Sequence, residues 1–145
     1  MKKLFVILFI STIYFGANAQ QRPSDWTLIQ TLNDVEIHYK YAQCQPRIGY
    51  DQELVLLKFK NNSSTDEKIV TWELEAIRNG VCTTCNKNNE YHMTLNLSPA
   101  QIKEGNCSIE CDYRLKIFSK FNEGIADEDQ ILLESFKLTN LNIID

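Results

Sequence analysis

The sequence predicts an all-β fold, one antiparallel β-sandwich of about seven strands, and three observations predict it. Apolar residues after Gln20 recur with the period of two that belongs to a strand, not the 3.6 of a helix. Clusters of Asn, Asp, Ser and Gly separate these runs at short intervals, as in sandwiches and barrels. Helix signals are thin. Ser98-Pro99-Ala100-Gln101-Ile102-Lys103 offers one helical turn, with serine as cap and proline in first position, and Gly124 to Gln130 is acidic and reads as a loop.

The strands follow in order. Trp26 to Leu32 is a first extended stretch, and Asn33-Asp34 is a turn-like pair. Val35 to Tyr41 puts Val35, Ile37, Tyr39 and Tyr41 on one face and Glu36, His38 and Lys40 on the other. Glu53 to Lys60 places Val55, Leu57 and Phe59 together, while Leu54 and Leu56 make its second face partly apolar. After the polar loop Asn61 to Glu67, Ile69 to Ala76 aligns Val70, Trp72, Leu74 and Ala76. Tyr91 to Leu97 and Tyr113 to Phe118 are two more strands. From Ile131 to Ile144, Leu132, Phe136 and Leu138 do not hold one register with Leu141 and Ile143, which a bulge explains.

The chain begins with an address. Met1-Lys2-Lys3 is basic, Leu4 to Gly16 is almost wholly apolar, and Ala17-Asn18-Ala19 supplies small residues before Gln20. That order describes a secretory signal peptide over residues 1–19, followed by one β-sandwich domain over 20–145. The apolar run is shorter than the roughly 20 residues of a spanning helix, so no transmembrane segment is expected in the mature chain. Removal of residues 1–19 takes Lys2 and Lys3 and leaves 126 residues with a net charge of −6, against −4 for the whole 145. An exported chain is expected in a periplasm or outside the cell, where disulfides persist.

A resemblance enters on particular segments. LVLLKFKNNSSTDEKIVTWELEA looks like two consecutive strands of immunoglobulin-like or fibronectin-III-like modules, with Trp72 in the place of their buried tryptophan. YRLKIF, opened by Tyr113, is similar to the penultimate strand of such modules, where a tyrosine often closes a corner. The mature chain resembles small, signal-bearing sandwich proteins of the Bacteroidota. The resemblance implies an immunoglobulin-like fold and an extracytoplasmic life, and it implies no catalytic residues. The inter-sheet cysteine pair of antibody domains has no match in this sequence.

Five cysteines are the most specific chemical feature. Cys82 and Cys85 form C-x2-C, Cys107 and Cys111 form C-x3-C, and Cys44 stands apart. The reading preferred on compartment is structural disulfides among Cys82, Cys85, Cys107 and Cys111, with pairing open and Cys44 as the odd thiol. Four thiolates would also suit zinc, although export exposes them to oxidation first. Redox catalysis by Cys82-Thr83-Thr84-Cys85 lacks the strand–helix setting that activates a thiol.

Other chemistry is sparse. His38 and His92 lack a triad-like neighbourhood, and no G-x-S-x-G or phosphate-cradling glycine loop is present. Asp127-Glu128-Asp129 resembles a calcium cluster only loosely. Asn61, Asn62 and Asn106 head N-x-S patterns. Mild acidity without a basic stripe argues against nucleic acid. Tyr39, Tyr41 and Tyr50 flank the Cys44 loop and could form an aromatic binding surface, although core burial explains Tyr39 and Tyr41 more cheaply. The expected function is a secreted or envelope-associated, non-catalytic module without cofactor or resident metal, binding a protein or glycan. Its loops at Cys82–Asn89 and Cys107–Cys111 are the expected contact points. The alternative is an extracytoplasmic thiol or metal protein using Cys82, Cys85, Cys107 and Cys111.

Overall fold

A computed structural model describes residues 22–48, 51–85, 90–122 and 130–145. The expected signal peptide, Tyr50, the Asn86–Asn89 segment and the Asp127-Glu128-Asp129 cluster lie outside these residues.

The described chain is all β, in two antiparallel sheets. The strands are β1 (Thr27–Leu32), β2 (Val35–Cys44), β3 (Gln52–Asn61), β4 (Lys68–Arg78), β5 (Val81–Cys82), β6 (His92–Leu97), β7 (Ile102–Glu104), β8 (Lys116–Phe121) and β9 (Leu133–Ile144). In the first sheet β1 pairs β2 and β2 pairs β3 along the whole of β3, so β7 and β8 share the remaining edge of β3. In the second, β9 runs along nearly all of β4, so β5 and β6 share the opposite edge.

Tight turns follow local chemistry. Asn33 and Asp34 both take positive φ (42° and 63°), the geometry that matches a two-residue turn to strand twist. Asn79-Gly80 repeats it between β4 and β5. Gly105 has a different reason: a Cβ there would meet the carbonyl oxygen of Leu115 at 2.3 Å. The predicted helical turn at Ser98–Lys103 is not formed. Ala100 takes a positive φ of 57°, which breaks a helix, and Ile102–Glu104 joins β3 as β7. Tyr113 is likewise corrected. It lies exposed in a 3₁₀ turn, Tyr113–Leu115, capped by Asp112, and the strand starts only at Lys116.

One core joins the two sheets. Val35, Ile37, Val55, Leu57 and Phe59 of the first sheet meet Val70, Trp72, Leu95, Leu97 and Ile143 of the second. Phe59 stacks on Trp72 with centroids 4.8 Å apart, which places β3 over β4. Tyr39 meets Phe136 at 5.4 Å, which places β2 over β9. The apolar second face of β3 is also used: Leu54 and Leu56 join Cys44 in a smaller cluster on the outside of the first sheet, under Trp26 and Phe118. Lys40 and Lys58 place their ammonium groups 4.6 and 4.8 Å from the Trp26 ring. Asn61, buried at the end of β3, accepts from the Ser63 amide and donates to the carbonyls of Asp66 and Ser98, fixing the loop ahead of β4. Burial also removes Asn61 from the surface on which its N-x-S pattern would matter.

Candidate functional site

The cysteine pattern differs from the sequence expectation. Cys44 is bonded to Cys107, Cys82 is bonded to Cys85, and Cys111 is the free cysteine among the described residues. Cys44 is therefore not the odd thiol. It ends β2 on the outer face of the first sheet, buried, and the connection after β7 crosses that face to bring Cys107 to it. The Cys111 sulfur accepts the Asn106 amide at 3.3 Å within its own loop. Cys82 and Cys85 close a short loop beside Thr84, whose hydroxyl accepts the Ala76 amide at 2.8 Å. The four sulfurs proposed as an alternative metal or thiol site are thus divided: Cys82 and Cys85 bond each other, Cys107 bonds Cys44 and Cys111 is free, so they are not one ligand set. Among the described residues no group of three or more His, Cys, Asp or Glu side chains is placed to hold a metal ion.

The histidines stand apart from both pairs. His38 is on the outer face, as its alternation predicts, yet its Nδ1 is buried without a hydrogen-bond partner. Burial, reinforced by Lys58, holds its pKa below the usual histidine value. His92 is half-exposed, 3.8 Å from Glu73.

A concavity among the described residues lies along one flank, between β1 and β9. The first sheet is four strands wide there and the second only three, so β1 overhangs β9. All six residues of β1 are exposed. Gln30 and Leu32 pair with Ile37 and Val35 and so share their core-directed face, but both are exposed and belong to neither core cluster. Ile29 sits at a bulge in the β1–β2 register.

Two adjoining cavities share Tyr39 and Phe136. One, about 360 Å³, is completed by Ile29, Lys137, Leu138 and Thr139. The other, about 160 Å³, is completed by Arg22, Pro23, Tyr41, Glu134 and Ser135. Together they run beside β9 from Glu134 to Thr139. The floor is aromatic: Tyr39 contacts Tyr41 edge-on at 6.3 Å as well as Phe136. Burial raises the Tyr41 hydroxyl above its ordinary pKa.

Both ends of this flank are tied. At one end Arg22 bonds the Glu53 carboxylate, donates to Ser119 Oγ at 3.2 Å and the Leu133 carbonyl at 3.1 Å, and lies over the Tyr41 ring. Glu53 is buried, but Ser119 and Gln43 complete its hydrogen bonds, so its charge is met on several sides. At the other end Asn33 donates to the Ile143 carbonyl at 3.2 Å. Alternation places Tyr39 and Tyr41 on one strand face and favours core burial for both; they pack against the core and remain partly open to the trough. The partners on β9 and the exposure of Ile29 were not legible in the sequence, because they follow from the unequal widths of the sheets.

No protein-family model, no curated protein and no solved structure matches the chain.

Proposed function

We propose that this chain is an exported, non-catalytic module of immunoglobulin-like layout that binds a protein through the flank between β1 and β9. The observation that carries the reading is the aromatic trough of Tyr39, Tyr41 and Phe136 left open by the overhang of β1. Large aromatic side chains supply contact area at low entropic cost, which is why they concentrate in interfaces. Two disulfides accord with an extracytoplasmic setting, and no described helix is long and apolar enough to cross a membrane. The basic start and apolar run of residues 1–19 support export.

The test is cross-linking in the producing cell with the wild-type chain and with Ile29→Glu, which places a charge on the exposed overhang without touching the core. A discrete adduct formed outside the cytoplasm and lost in Ile29→Glu supports the reading. An adduct formed equally by both chains, or a chain retained in the cytoplasm, contradicts it.

A further inference from the structure

The flank has a shape that selects its occupant. Among the described residues β9 pairs only with β4, and β1 only with β2, so each presents an unpaired backbone edge. Arg22 and Asn33 engage β9 carbonyls only at its two ends, Leu133 and Ile143. Glu134 to Thr139 lies between them, beside the trough, and six residues of strand span roughly 20 Å.

A second copy does not fit by pairing β9 with β9. β2 stands over β9, and β1 stands one strand further out. Pairing β9 with β9 of another copy would drive that copy's β1 into the position of β2. A single extended segment has no such conflict: it would lie beneath β1 and make the second sheet as wide as the first.

Charge narrows the choice further. Of the charged side chains lining the trough, Arg22 is paired with Glu53, and Glu134 accepts the Gly80 amide. Lys137 lies opposite Glu75 of β4 and makes no salt bridge or hydrogen bond among the described residues. An acidic residue on the incoming segment would complement it.

We infer that the flank takes one extended segment of a partner protein, added as a fourth strand beside β9. Alternate apolar side chains of that segment pack on Ile29, Tyr39, Phe136 and Leu138, and a carboxylate faces Lys137. Backbone hydrogen bonds to the β9 edge supply affinity, and the trough supplies specificity. The inference rests on the binding reading above and adds the form of the partner.

The test attaches a probe strand to the full mature chain. A two-residue Asn-Gly turn and the strand Thr-Val-Glu-Val-Thr-Val-Thr-Val-Glu-Val-Thr are added after Asp145, so the probe folds back along β9 as far as Ser135 at high effective concentration. A control extension carries proline at alternate positions and cannot donate to a strand edge. Amide hydrogen exchange is read at Ser135 to Thr139. The expected result is exchange slowed about tenfold or more by the probe and unchanged by the control. Equal slowing by both extensions, no slowing, or protection appearing on β1 instead would overturn the inference. So would slow exchange at these amides in the unextended chain that disappears on dilution, since a second copy would then be the occupant. If the probe fails while the Ile29→Glu-sensitive adduct persists, strand addition is wrong and the binding reading stands. If both fail, the flank is not the site.

Discussion

The Tyr39 ring of β2 meets the Phe136 ring of β9 edge-on, with centroids 5.4 Å apart, and this pair both closes the core and floors the open flank. Tyr39 has a further aromatic neighbour in Tyr41, whereas Phe136 looks out under the overhang of β1. Edge-to-face pairs contribute beyond their buried area. A double-mutant cycle with Tyr39→Leu and Phe136→Leu is therefore expected to give a coupling of about 0.5–1.5 kcal/mol in denaturant unfolding. Additive losses would show that the two rings act separately.

The two disulfides are expected to differ in their effect on stability. Cys44–Cys107 closes a sequence separation of 63 residues and Cys82–Cys85 one of 3. On the chain-entropy argument, removing the first costs about 4 kcal/mol and the second about 2 kcal/mol or less. The comparison is made by urea unfolding of the paired Ser variants in a Cys111→Ser background, so that no thiol can exchange. A larger loss from the Cys82–Cys85 pair would mean that its loop carries more of the fold than its length suggests.

Thiol chemistry gives a direct count. The denatured, unreduced chain is expected to show one free thiol, and peptide mapping after alkylation should place the label on Cys111. Label on Cys44 would restore the sequence-based expectation and remove the link between β2 and the connection after β7.

His38 predicts an acid-side loss of stability. Burial lowers its folded pKa below the usual 6.5, with Lys58 and Lys60 reinforcing the shift and Glu36 opposing it. The unfolded chain therefore binds this proton first. The contribution is fully present above pH 6.5 and is lost as pH falls from there through the folded pKa. Stability measured across that range should fall less steeply in His38→Gln than in the wild type, and an NMR titration should place the His38 midpoint below 6.5. A midpoint above that value would reverse the sign.

Much of the fold was legible because alternation reports which face of a strand is buried. Val35 and Ile37, Val70 and Trp72, and Leu95 and Leu97 all point into the core as their spacing requires. The bulge expected near the end of the chain is present, with Asn140 at a φ of 49° and a register shift against β4. β5 and β7 are two and three residues long, too short for any period to appear. The cysteine pairing depends on a connection folding across the outside of a sheet, which spacing along the chain does not encode. The flank was hidden for a related reason. Ile29 and Leu32 read as ordinary strand residues until the relative widths of the two sheets leave β1 uncovered.

The most direct test of the flank as a binding surface uses a photo-reactive residue placed at Lys137 on β9 and, in a separate chain, at Thr65 in the remote β3–β4 loop. Illumination of the exported chains in the producing cell is expected to give one discrete protein adduct from position 137, none from position 65, and none from position 137 when Ile29→Glu is also present. Equal adducts from both positions, or an adduct at 137 that survives Ile29→Glu, would contradict the assignment of the β1–β9 flank as the site.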